Sequence, residues 1–282
     1  MSDSEALFAR AFTNLAVCDP VSQRYVLLPP IPQEMTVEKE HLKEFEPMLA
    51  PIDEDENKDE TSFKVICTAH YKSKLVTFVF SPVTRQWHVA ASPSWSSLGV
   101  AEPSWRRLNH FSYVHGCFYW TELWKENLLV LHARTMVFST LDFTNQPAGH
   151  TLYMSTIVDG AKGAIVEMFT VATDDSLASF YLYHTTQQQD GGSYSNDCWQ
   201  LKNVMELPRP RLYSPMGAKE GFLFLRDAPG VWDDTTPKGD PVNFFSLEVK
   251  TFELHKVCTA KYYNDRVHSY FGFPPSLSKP SL

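Results

Sequence analysis

The sequence predicts an all-β repeat fold. Three observations lead there: a hairpin phrase that returns along the chain, apolar runs of strand length separated by turn residues, and poor helical periodicity nearly throughout. The clearest pair of copies is Val17-Cys18-Asp19-Pro20-Val21-Ser22-Gln23-Arg24-Tyr25 and Val79-Phe80-Ser81-Pro82-Val83-Thr84-Arg85-Gln86-Trp87. In both, an apolar strand ends, Asp-Pro or Ser-Pro turns the chain, a hydroxyl residue follows, and an aromatic opens the return strand. Looser copies run from 128–131 through Arg134-Thr135 to Val137-Phe138, and from 244–247 through Lys250-Thr251 to Phe252. A stretched copy leads from 180–183 to Trp199 past the polar insertion 187–192.

Each hairpin is preceded by another apolar run: 63–67 before 75–80, 113–120 before 128–131, 165–171 before 177–183, and 221–225 before 243–247. The unit is therefore strand, loop, strand, turn, strand, with room for a fourth strand. A period of roughly 50–60 residues built from about four short strands predicts a kelch-like β-propeller. About five blades fit in this chain, the first incomplete at its N-terminal side. A WD40 reading is weaker, because no Gly-His and Trp-Asp pairs mark the units. One domain is expected over 1–282, with 1–11 and 278–282 as disordered ends. The single helical candidate is 36–49, where Val37, Leu42, Phe45 and Leu49 give partial helical spacing before Pro51. The aromatic stretch 267–273 is expected beside the N-terminal hairpin, where it would protect the open strand edges of the incomplete blade.

Composition narrows the function classes. The chain is 43% hydrophobic and 13% aromatic, enough to bury a core and unlike a disordered protein. Its net charge of -8 and the lack of a dense Lys/Arg block argue against nucleic acid as a partner. No apolar run reaches the roughly 18 residues of a membrane span, and no secretory signal opens the chain. Cys18, Cys67, Cys117, Cys198 and Cys258 are widely spaced, with no CxxC pair. They read as buried free thiols in a reducing, intracellular setting, cytoplasmic or nuclear, rather than as zinc ligands or disulfides. The acidic run 53–60 and the Gln/Gly/Ser stretch 187–196 read as solvated loops.

Catalysis needs convergent groups, and none is evident in the sequence. HExxH, GxSxG, GxGxxG and Walker loops do not occur. His110 and His115 fall on opposite faces of a strand approach. Asp174-Asp175 and Asp233-Asp234 stand in turn-like contexts that favour Asp for local hydrogen bonding. The expectation is therefore no enzyme activity, no cofactor and no metal. Trp87 and Trp120 sit within strand patterns and read as core. Trp95, Trp105, Trp124 and Trp232 lie in Ser/Pro/Asp-rich or charged segments. With Arg106, they are the candidate anchors for a protein partner, since exposed Trp and Arg dominate interfaces. The competing reading folds these rings back over the blades.

At this point the residues resemble a known family. Cys18-Asp19-Pro20-Val21-Ser22-Gln23-Arg24-Tyr25-Val26-Leu27-Leu28-Pro29-Pro30-Ile31-Pro32 resembles the opening of the propeller domain of plant F-box proteins, particularly the group found in grasses. Phe63-Lys64-Val65-Ile66-Cys67, His115-Gly116-Cys117-Phe118-Tyr119-Trp120 and Tyr270-Phe271-Gly272-Phe273-Pro274-Pro275-Ser276-Leu277 extend the resemblance. It implies a propeller that holds the target of an SCF-type ubiquitin ligase, with no catalytic residues. No Leu-Pro-rich helical F-box precedes Val17, so Skp1 binding is not expected of this chain. The alternatives are a propeller-scaffold enzyme acting on a sugar or small molecule, and a truncated product without function.

Overall fold

A computed structural model describes residues 15–19, 24–36, 42–51, 63–100, 111–121, 127–142, 150–159, 165–174, 180–188, 200–208, 212–219, 221–228 and 241–261. The backbone partitions into two compact units. The first is residues 1–107, 132–139 and 270–282; the second is 108–131 and 140–269.

Regular structure among the described residues is almost entirely β. A two-stranded hairpin joins β1 (Ala16–Asp19) to β2 (Arg24–Leu27). Four four-stranded antiparallel meanders follow. The first contains β3 (Leu42–Pro51), β4 (Phe63–Tyr71), β5 (Leu75–Ser81) and β6 (Gln86–Ala91). The second contains β7 (Phe111–Val114), β8 (Cys117–Thr121), β9 (Asn127–His132) and β10 (Val137–Asp142). The third contains β11 (His150–Asp159), β12 (Ile165–Asp174), β13 (Phe180–Gln188) and β14 (Gln200–Leu207). The last contains β15 (Leu212–Lys219), β16 (Phe222–Ala228), β17 (Pro241–Glu248) and β18 (Glu253–Lys261). Spatial order follows chain order in every sheet, as in the blades of a β-propeller, which is the fold of this chain. The paired apolar runs read from the sequence are the second and third strands of the four blades.

The recurring phrase is a recurring turn. Between the third and fourth strands, Arg85 N donates to Ser81 O, Met136 N to His132 O and Phe252 N to Glu248 O, each at 2.8 Å. The last turn residue is left-handed each time: φ is 53° at Arg85, 55° at Met136 and 59° at Phe252. A side chain at the turn entrance helps to close it. Ser81 Oγ accepts from Thr84 N at 3.4 Å, His132 Nδ1 accepts from Thr135 N at 3.3 Å, and Glu248 Oε2 accepts from Thr251 Oγ1 at 2.9 Å. This is why a polar entrance and a Thr recur although the rest of the sequence drifts.

Each strand sends alternate residues to opposite faces, so each blade feeds two cores. In the first unit Val65, Cys67, Ala69, Tyr71, Val76, Phe78, Phe80 and Trp87 form one cluster with Val17, Leu28 and Ile31 from the hairpin region. In the second unit β11 contacts β7 on one side and β15 on the other. Ser112 Oγ pins this arrangement by accepting from Ile157 N at 3.1 Å. From β12, Val166 and Met168 enter the cluster shared with β7–β10, while Phe169 and Val171 enter the one shared with the last blade.

The helical expectation at 36–49 is overturned. Residues 42–51 are strand β3, and a 3-10 turn occupies Gln33–Met35. Leu42, Glu44, Glu46, Met48 and Ala50 are buried in strict alternation. The period of two was disguised because two inward positions carry glutamate. Pro47 is tolerated because β3 is an edge strand of its sheet. The expected pairing of 267–273 with the hairpin falls on residues outside those described.

Candidate partner-binding surface

Trp95, expected as an exposed anchor, is a core residue with 4% exposure. Its indole Nε1 donates to Tyr71 O at 3.0 Å, its own N–H donates to Ser73 O at 3.1 Å, and its ring meets His70 edge-on at 6.3 Å. The loop folds back over the β4–β5 turn. Leu75 N donates to Pro93 O, and Lys74 bridges to Ser94. Ser94 Oγ then accepts from Ser97 N at 3.1 Å, leading into the 3-10 turn Ser96–Leu98, which ends on left-handed Gly99 (φ 69°). A buried indole needs a hydrogen-bond partner, and the Tyr71 carbonyl provides it. The loop therefore presents Ser92, Ser96 and Ser97 outward, not its tryptophan. Trp105, Arg106, Trp124 and Trp232 lie outside the described residues.

Two buried His–Glu pairs lie inside the blades. In the first blade His70 Nε2 faces Glu46 Oε2 at 3.5 Å, both almost wholly buried. Burial pushes the His70 imidazole down from its ordinary 6.5 to about 3, so it is neutral at pH 7. In the third blade His184 Nε2 faces Glu167 Oε2 at 3.4 Å, and its ring stacks on Phe169 at 4.6 Å. In the last blade the buried Asp227 is fully engaged. Asn243 N donates to its Oδ1 and Asn243 Nδ2 to its Oδ2, each at 2.6 Å, and Thr259 Oγ1 donates to Asn243 Oδ1. Asp227 thus ties β16 to β17 and, through Asn243, to β18. Among the described residues, no three His, Cys, Asp or Glu side chains are arranged to hold a metal ion.

Exposed apolar residues stand on strands and their turns instead. Tyr25 (66% exposed), Val26 and Leu27 (64%) project from β2, and Val83 (70%) projects from the β5–β6 turn. The hairpin that carries the first three is held rigidly. Leu28 N donates to Leu15 O at 2.9 Å, and Trp87 Nε1 donates to Pro29 O at 2.8 Å. The cysteine expectation needs correcting in the same region. Cys67 and Cys117 are buried, and burial pushes the Cys67 thiol up, but Cys18 and Cys258 are exposed. Both sit near the solvent-facing side of their sheets, where apolar neighbours in sequence do not imply burial. Sequence reasoning also missed Tyr25 and Leu27. The run Tyr25-Val26-Leu27-Leu28 is continuously apolar, so no alternation marked them as exposed.

No helix among the described residues is long and apolar enough to cross a membrane. No protein-family model matches the sequence. No curated protein matches it either. The WD40 domain of SCAP from fission yeast matches at a TM-score of 0.40 and 8% identity, over 90% of this chain and 60% of that one. A prolyl endopeptidase matches at 0.39 and 11%, over 88% of this chain and 39% of that one. A post-proline cleaving enzyme from Rickettsia typhi matches at 0.36 and 11%, over 88% and 31%. The chain thus spans less than two thirds of each of these three structures. They are proteins that this chain is similar to in fold; at such identities the likeness extends no further.

Proposed function

We propose that this chain is a non-enzymatic protein-interaction module that holds a target protein, in the manner of the propeller of SCF-type F-box receptors. One observation carries the reading: Tyr25 and Leu27 expose an apolar pair on one face of a braced hairpin. Aromatic and aliphatic groups held on rigid backbone lose little entropy on binding, which is what an interface anchor requires. The hairpin is also formed by the phrase that resembles the opening of F-box-associated propellers. The reading includes an intracellular location, which accords with the free thiols of Cys18, Cys67, Cys117 and Cys258.

The test is crosslinking and mass spectrometry of tagged wild type beside the double variant Tyr25→Ser/Leu27→Asp. The variant should keep its thermal midpoint and lose the partners that wild type captures. An identical partner set for both proteins would overturn the assignment to this pair. Turnover by the purified chain in a panel of glycoside, lactone and peptide substrates would overturn the non-enzymatic reading.

A further inference from the structure

The first blade carries a buried polar row inside an otherwise apolar setting. Cys67, Ala69, Phe78 and Phe80 enter the apolar core of the first unit, so the alternate residues of β4 and β5 make the opposite face. Register arranges that face in three rows across β3, β4 and β5: Met48–Ile66–Val79, Glu46–Thr68–Thr77 and Glu44–His70–Leu75. All of these side chains are buried, and Thr68 and Thr77 are wholly so. Thr68 Oγ1 and Thr77 Oγ1 have no hydrogen-bond partner. Neither does His70 Nε2, which faces Glu46 Oε2 at 3.5 Å without bonding it. Directly opposed residues hold their Cβ atoms about 4.5–5.5 Å apart. His70 reaches diagonally to Glu46, and Glu46 stands directly opposite Thr68, so imidazole, carboxylate and both hydroxyls close on one spot. Folded proteins leave few buried polar atoms unsatisfied, and three on one patch point to a bound ligand.

We propose that this row is a buried hydration site, where one ordered water bridges the Thr68 and Thr77 hydroxyls to His70 Nε2 and Glu46 Oε2. The chemistry of the donor set selects water. A hydroxyl both donates and accepts, a neutral imidazole nitrogen does one or the other, and a carboxylate oxygen accepts. A water molecule offers two donors and two acceptors, and buried waters typically make about three hydrogen bonds. The His70 ring is neutral at pH 7, so it adds no charge that an anion would seek. A metal ion fits less well, because no three His, Cys, Asp or Glu side chains among the described residues are arranged to hold one. Thr68 and Thr77 are also shorter than the flanking Ile66, His70 and Leu75, which sets back the sheet face where the hydroxyls lie. The water ties the edge strand β3 to β4 and β5 by a route separate from the backbone ladder.

Oxygen-17 relaxation dispersion on the full-length chain counts waters held longer than the tumbling time. The double variant Thr68→Val/Thr77→Val keeps the shape of both side chains and removes both hydroxyls. It should hold one long-lived water fewer than wild type, and its thermal midpoint should fall by about 2–4 °C. An equal water count would overturn the proposal. So would a midpoint that holds or rises, because hydroxyls without a ligand are better replaced by methyl groups. Melts of wild type in sodium, potassium and choline chloride at one ionic strength should coincide. A midpoint that depends on the cation would overturn the site in favour of an ion. Should the double variant not fold, wild type alone decides: the methyl groups of Thr68 and Thr77 should show nuclear Overhauser effects to a water of long residence, and their absence would overturn the proposal.

Discussion

The first and last blades share a strand order and a hairpin turn, yet they bury different fractions of the same framework. In β4 and β5 every residue from Val65 to Tyr71 and from Leu75 to Phe80 is buried. In β16 the burial alternates. A continuous apolar strand reports two covered faces, and an alternating one reports a single covered face. The sequence obeys this. VICTAHY and LVTFVF carry small, branched or aromatic residues at both parities, with Thr68, His70 and Thr77 as the polar exceptions. The last blade instead places Arg226, Ser246 and His255 on its open side, among phenylalanines.

The comparison can be broken most decisively by truncating one side chain in each blade. Phe78→Ala in the first blade should cost about 3–5 kcal/mol, whereas Phe224→Ala in the last should cost about 1 kcal/mol. Urea unfolding monitored by circular dichroism would measure both, and equal losses would mean that the open face is as well packed as the covered one.

The buried imidazole gives the next largest effect. His70 is neutral when folded and gains a proton near 6.5 when unfolded, so the unfolded chain binds more protons between about 3 and 6.5. Its contribution is whole above pH 6.5 and is lost as the pH falls, by about 1.4 kcal/mol per unit, or about 2 kcal/mol at pH 5. His70→Gln should remove that slope. Urea midpoints at pH 7.5 and pH 5 for both proteins would show it, and parallel declines would place the acid sensitivity elsewhere.

Trp95→Phe should cost about 1–3 kcal/mol by leaving the buried Tyr71 carbonyl without its donor. A chemical melt within a few tenths of wild type would return Trp95 to the surface. The smallest change expected is a gain: Arg85→Gly relieves left-handed backbone at φ 53° and should add about 0.5 kcal/mol after the entropy of glycine is subtracted. A loss would mean that the Arg85 side chain contributes more than its backbone costs.

Local chemistry made the blades legible in the sequence. A strand, a polar turn entrance, a Thr and an aromatic return are all fixed by one turn geometry, so the hairpins could be read wherever that geometry recurs. Strand β3 could not be read, because Glu44 and Glu46 occupy inward positions and erase the apolar alternation. Trp95 was hidden for the opposite reason. Its serine neighbours mark a solvated loop, although Leu98 and the left-handed Gly99, three and four residues later, signal a chain that folds back. Cys18 and Cys258 show that apolar neighbours along a strand say little about exposure where one side of the sheet is open.

The Trp87 indole holds Pro29 across 58 residues of chain. On a ribosome adding about 5–20 residues per second, the clamp cannot close for roughly 3–12 s after Pro29 is made. Throughout that interval Leu28 and Ile31 have no completed core to enter, and the neighbouring Tyr25, Val26 and Leu27 are exposed as well. The segment around Pro29 thus carries uncovered apolar groups until residue 87 follows it. Its protection depends on how soon residue 87 leaves the exit tunnel, more than on how stable the finished blade is.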